Sequence, residues 1–123
     1  MIRIDKTVIN GVSVAEVSGD GIIIRDTQSA LELAMSVKHE TGADRFVIAK
    51  EAVCREFFIL SSGLAGEALQ KLTNYRIKAA FYGDYSGYTS KPLHDFIYES
   101  NAGGSFYFVS TKEEALKRLS EVR

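Results

Sequence analysis

Cysteine, histidine and net charge are all scarce in this 123-residue chain, and each scarcity removes a class of chemistry. The single cysteine, Cys54, leaves no partner for an intrachain disulfide. It stands among Val53, Phe57 and Phe58, a setting that reads first as a small buried hydrophobe and second as a nucleophile. His39 and His94 are far apart and unaccompanied, so zinc-ligand spacing is absent, and no cofactor motif is present. Fifteen basic residues against 16 acidic ones give a net charge of -1. A chain so balanced has no overall field with which to gather nucleic acid or an anionic membrane surface. The opening Met-Ile-Arg-Ile-Asp-Lys lacks the apolar core of a secretion signal, and no apolar run reaches membrane-spanning length. The expectation is a cytoplasmic protein that binds neither membrane nor nucleic acid.

Signatures of catalysis are scarce as well. Ser61-Ser62-Gly63 is not a Gly-x-Ser-x-Gly elbow, and neither histidine stands in a triad pattern. The stretch from Gly83 to Lys91 resembles a phosphate-binding loop only superficially, because Gly87 is followed by Tyr88 rather than lysine. Asp95 and Glu99 lie one helical turn apart and read either as a solvent-facing pair or as cation ligands.

What is present is an ordinary globular composition, 46% hydrophobic and 25% charged, in a length that buries roughly two-thirds of its unfolded surface. Asn10-Gly11 between alternating stretches predicts a hairpin joining Ile2–Ile9 to Val12–Ser18. Within the second strand, Val12, Val14 and Glu16 should share one sheet face and Ser13, Ala15 and Val17 the other. Ile22-Ile23-Ile24 predicts a third short strand. Ala30, Leu33, Ala34 and Val37 then recur at helical spacing, with Asp26 or Thr27 as cap and Gly42 as stop. A strand at Phe46–Ala49, a turn through Phe57-Phe58, a helix from Leu64 to Asn74 and a strand at Ile77–Tyr82 follow. After a loop at Gly83–Ser90, Pro92 sits in the first turn of a helix running to Ser100. A strand at Phe106–Val109 leads into a last helix, with capping-box spacing at Ser110–Glu113 and Ala115, Leu116, Leu119 and Val122 facing inward. The order β-β-β-α-β-α-β-α-β-α predicts one α/β domain over residues 1–123, a mostly parallel sheet with the hairpin at one edge and about four helices.

In such a sheet, ligands gather outside the carboxyl ends of the strands. Asp26 with its neighbours, Lys50, the Ser61-Ser62 turn, and Asp84, Tyr85, Tyr88, Ser90 and Lys91 should converge on that rim. Asp26, Ser62 and Ser90 also read as helix caps, and Asp84 and Gly87 as turn residues. On the helix after Ser62, Leu64, Ala65, Ala68, Leu69 and Leu72 occupy one arc. Glu67, Gln70, Lys71 and Asn74 line the opposite one. That polar arc is either a solvated face held by a Glu67–Lys71 pair or a recognition face, with Tyr75, Tyr82, Tyr85 and Tyr88 adding phenols nearby.

Two resemblances arise on these residues. Phe57-Phe58-Ile59-Leu60-Ser61-Ser62-Gly63-Leu64-Ala65-Gly66-Glu67-Ala68-Leu69-Gln70-Lys71, with Asn74-Tyr75, resembles a bacterial family of domains of unknown function, numbered 4180. So do Gly83-Asp84-Tyr85-Ser86, Ser90-Lys91-Pro92-Leu93 and Asp95-Phe96-Ile97-Tyr98-Glu99-Ser100-Asn101. More distantly, the element order, the Ser61-Ser62-Gly63-Leu64 turn and the ending Phe108–Leu116 are similar to the sulfate-transporter and anti-sigma-factor-antagonist (STAS) domain. In that family a strand runs into an Asp-Ser-Ser-Gly-Leu turn, and a partner kinase phosphorylates the serine before glycine. Ser62 matches that serine, whereas Leu60 stands where the family has its acid. The resemblance implies a non-enzymatic regulatory or interaction module, switched at Ser62 by a kinase or anti-sigma-type partner. The rivals are a sensor in which Lys50, Ser62 and Lys91 hold a small anion, and an enzyme using Ser62 or Asp84. A homodimer is compatible with each reading.

Overall fold

The computed structural model describes residues 1–122. Strands β1 (Ile2–Ile9) and β2 (Val12–Gly19) form an antiparallel hairpin in the register Ile9↔Val12 to Ile2↔Gly19. Asn10 and Gly11 both adopt positive φ, 53° and 77°, the pair that a type I′ turn demands. Strands β3 (Arg45–Ala49), β4 (Lys78–Tyr82) and β5 (Phe106–Val109) then add in parallel, giving the order β1-β2-β3-β4-β5. Each parallel neighbour is also the next strand in sequence. Crossovers of one hand therefore put the intervening helices on the same side of the sheet. These are α1 (Thr27–Thr41), α2 (Leu64–Asn74) and α3 (Lys91–Ala102). Helix α4 (Lys112–Glu121) follows the last strand and packs against the opposite face.

The pleat explains the two cores. On the α1–α3 side, Ala15, Val17, Phe46, Ile48, Phe81 and Phe108 meet Leu33, Val37, Ala68 and Leu72. On the other side, Val14, Val47, Ala80, Tyr107 and Val109 meet Ala115 and Leu119. Val12 joins this second cluster, and Glu16 pairs with Lys112 at the first turn of α4. The expected division of Val12, Val14 and Glu16 from Ala15 and Val17 is therefore observed.

Ile22–Ile24 is not a strand. It makes one parallel bridge, Ile24 to Val53, through the Ile23 and Ile24 N–H groups on the Ala52 carbonyl and the Cys54 N–H on the Ile24 carbonyl. Ile23 and Ile24 are buried because the segment plugs the end of the core on its way into α1, and Ile22 is left exposed. Three short 3₁₀ turns, Lys50–Ala52, Arg55–Phe58 and Leu60–Ser62, replace the single turn expected between β3 and α2. The cap of α4 also differs: Thr111, not Ser110, accepts the Glu114 N–H at 3.1 Å, because Lys112 is the first helical residue.

Candidate functional site

The rim is built by helix starts. At α1, the Asp26 carboxylate accepts the Ser29 N–H at 2.7 Å, and the Ser29 hydroxyl in turn accepts the Asp26 N–H at 3.0 Å. This reciprocal box satisfies two otherwise free amides, and its hydrogen bonds to Ser29 hold the Asp26 carboxyl below its ordinary range. Thr27 donates its hydroxyl to Glu67 on α2 at 2.9 Å, stitching the two helix starts together. Glu67 therefore pairs with Thr27, and no Glu67–Lys71 ion pair forms among the described residues. Across from Asp26, Ser62 ends the 3₁₀ turn and is exposed. Its hydroxyl donates to the Glu56 carbonyl at 2.8 Å and accepts the Leu64 N–H at 3.2 Å. Gly63, with φ of 80°, reverses the chain so that α2 starts directly behind it. The result is a groove of about 500 Å³, lined by Asp26, Thr27, Ser62, Leu64, Glu67 and Lys71.

Farther along α2, Gln70 and Asn74 are exposed and bond to each other at 3.0 Å. Leu64, Ala65, Ala68, Leu69 and Leu72 face the core, as the helical spacing requires.

The other rim residues take separate partners. Lys50 lies over the rings of Tyr88 and Tyr85, 5.0 and 5.8 Å from their centroids. Its stem presses on Gly83, where an added Cβ would stand 2.8 Å from the Lys50 Cβ, so only glycine lets the strand end pass. Tyr85 turns inward, donating its hydroxyl to the Phe81 carbonyl at 2.8 Å, and burial pushes its phenol far above the usual range. Asp84 accepts the Ser86 N–H at 2.9 Å, and its hydrogen bonds to Ser86 lower its carboxyl. Ser90 caps α3 through the Leu93 N–H at 3.3 Å. Lys91 reaches Asp95 at 2.8 Å, and that bond raises its ammonium. Lys50, Ser62 and Lys91 thus have three different sets of contacts and share no pocket with one another.

The phenols are dispersed too. Tyr75 is exposed at the end of α2, Tyr82 packs against the α4 cluster, and Tyr85 and Tyr88 pack against Phe58 with tilted rings. A second cleft, about 640 Å³, runs between residues 55–61 and residues 87–93, the loop before α3 and that helix's first turn. Ser61, Tyr88 and Ser90 line it, whereas Ser62 lines the α1–α2 groove. The expected single rim is therefore two concavities either side of the Ser61-Ser62 turn. Ile59 lines the second as part of the expected turn, whereas Arg55 was missed because it precedes that turn in a stretch with no periodicity. The available signal was a cation and an aliphatic pair flanking two core phenylalanines.

Cys54 is buried, with its thiol 3.5 Å from the Arg25 carbonyl. Asp95 and Glu99 are exposed, and no described residues form a cluster of three metal-ligating side chains. No described helix is long and apolar enough to cross a membrane.

No curated protein and no solved structure matches the chain. Residues 9–119, all but the first eight and last four positions, match the family described as Domain of unknown function (DUF4180), and the chain belongs to that family.

Proposed function

We propose that this chain is a regulatory protein-interaction module related in fold to the STAS domain, with its partner surface in the groove at Ser62 and the adjoining polar face of α2. The observation that carries the reading is the placement of an exposed serine at the start of α2, on the lip of a groove walled by two helix N-termini. The fold kinship is supported by an edge hairpin followed by parallel strands in consecutive order. A phosphate on Ser62 adds negative charge and three acceptor oxygens where the helix dipole and the first amides of α2 favour them. It also removes the hydroxyl proton given to the Glu56 carbonyl and places charge beside Glu67 and Lys71. The groove would then present a different electrostatic face to a kinase or anti-sigma-type partner, with the fold left intact.

The test is affinity capture from the native host, read by mass spectrometry, with wild type, Ser62→Glu and the double variant Gln70→Ala/Asn74→Ala. Gln70 and Asn74 are exposed and their side chains hydrogen-bond to each other, so the double variant should change stability by no more than about 0.5 kcal/mol. A partner using this face should lose at least about tenfold in capture, or 1.4 kcal/mol. Equal capture by all three proteins with unchanged melting temperatures would remove the reading.

A further inference from the structure

The cleft on the far side of the Ser61-Ser62 turn has a chemistry of its own, independent of the Ser62 groove. We propose that it binds a small amphipathic carboxylate, an aryl or branched acyl body bearing one negative charge.

The volume, about 640 Å³, falls in the range of small-molecule sites, roughly 300–1,000 Å³. Its apolar surface comes from Phe58, Ile59, Leu60, Tyr88, Pro92 and Leu93. Phe58 and Leu93 are buried, whereas Ile59 is 46% exposed, an aliphatic side chain standing in water at the lip. Covering Ile59 would remove apolar surface from water without disturbing the fold. The aromatic wall is fixed before any ligand arrives. Tyr88 lies 5.7 Å from Phe58 and carries the Lys50 ammonium 5.0 Å from its ring centre. Its backbone carbonyl meets His94 Nε2 at 2.6 Å, tying the loop to α3. A wall already in place spares the ordering cost of binding.

Charge narrows the class. No aspartate or glutamate lines the cleft, and its one charged side chain is Arg55. Arg55 is exposed and makes no ion pair or side-chain hydrogen bond among the described residues, unlike Arg45 and Arg118, which are paired. The hydroxyls of Ser61 and Thr89 likewise have no protein partner there. A guanidinium fork matches a carboxylate with two parallel N–H donors, and the hydroxyls supply further donors at the same lining. A phosphate would bring more charge than one arginine balances, into a lining that is mostly hydrocarbon.

The experiment is a ¹⁵N–¹H NMR titration of the full chain with 4-phenylbutyrate, its uncharged amide, and acetate. For a ligand of this size the expected Kd is about 0.1–1 mM, with resonance shifts confined to residues 55–61 and 87–93. The amide should bind at least about tenfold more weakly, and acetate should not bind at all. Arg55→Gln, a change at an exposed side chain, should reduce phenylbutyrate to the level of the amide and leave amide binding unchanged. Absence of shifts at about 10 mM, tenfold above the weak end of that range, would overturn the proposal. So would shifts centred outside the cleft, equal binding of acid and amide, or indifference to Arg55→Gln.

Discussion

At the scale of single residues, the charged groups that matter most are those the sequence presents as ordinary. Arg45 opens β3 and is buried, yet its guanidinium donates to the carbonyls of Leu119 and Val122, both at 2.8 Å, and pairs with Asp44. It satisfies the free carbonyls at the end of α4 from a strand more than seventy positions away, a role that no local pattern encodes. Glu16 was legible only as an alternating polar position. Its side chain accepts from Thr7 and pairs with Lys112, and those bonds, to Lys112 first and to Thr7 second, hold its carboxyl below the ordinary value of 4.5. A carboxyl lowered in the folded state contributes stability that is present above the unfolded value and lost as pH falls through the folded one. The melting temperature should therefore drop between pH 7 and pH 3, and Glu16→Gln should show a smaller drop than wild type, from a lower starting point. Parallel melts of the two proteins across that range check this. An identical pH slope would mean that the pair with Lys112 is no stronger folded than unfolded.

At the scale of elements, spacing located most of the chain and misjudged one kind of segment. Helices α1 and α2 were readable because each buries one face at helical spacing, and strand β5 from a short apolar run that is buried on both faces. Ile22–Ile24 was misread because a run of three β-branched residues signals burial, and burial here comes from plugging the core end rather than from sheet pairing. The Asn101 end of α3 makes contacts that helical spacing does not announce. Asn101 donates its amide to the Phe108 carbonyl at 3.0 Å and accepts the Phe108 N–H at 2.7 Å, two bonds in the manner of a strand neighbour. The adjacent carbonyl of Val109 faces β4, where it accepts the Gly83 N–H, so the Asn101 bonds cover the outer edge of β5. Open edges invite pairing with other chains. Asn101→Leu should cost about 2 kcal/mol, two hydrogen bonds at about 1 kcal/mol each. It should also raise the apparent mass in sedimentation as freed β5 edges associate. A stable, unchanged monomer-to-oligomer balance would assign Asn101 to local geometry alone.

At the scale of the whole molecule, a mostly parallel sheet with the hairpin at one edge followed from the sequence because consecutive β-α-β units leave few alternatives, whereas the division of the rim did not. Which side of the Ser61-Ser62 turn a residue faces depends on three 3₁₀ turns whose course no periodicity announces. The same architecture fixes how stability is distributed. Strands β3 and β4 lie in the middle of the sheet with α1 and α2 on one side and α4 on the other, and Phe46, Val47, Ile48, Ala79, Ala80 and Phe81 are all at most 1% exposed. Strand β1 is at the edge, paired only with β2, and its Ile2 and Val8 are more than half exposed. Local opening is cheapest where few apolar contacts resist it, and core strands exchange their amides only through global unfolding. Hydrogen exchange should therefore rank β3 and β4 slowest, with protection equal to the global unfolding free energy measured by denaturant. The β1 amides that pair with β2 should exchange by local fraying, faster by at least about two orders of magnitude, or some 3 kcal/mol. Raising denaturant concentration separates the two modes, since global opening speeds steeply with denaturant and local fraying hardly does. Equal protection in β1 and β3 would mean that the hairpin folds with the parallel core as one cooperative unit, and the edge strand could not then open independently of it.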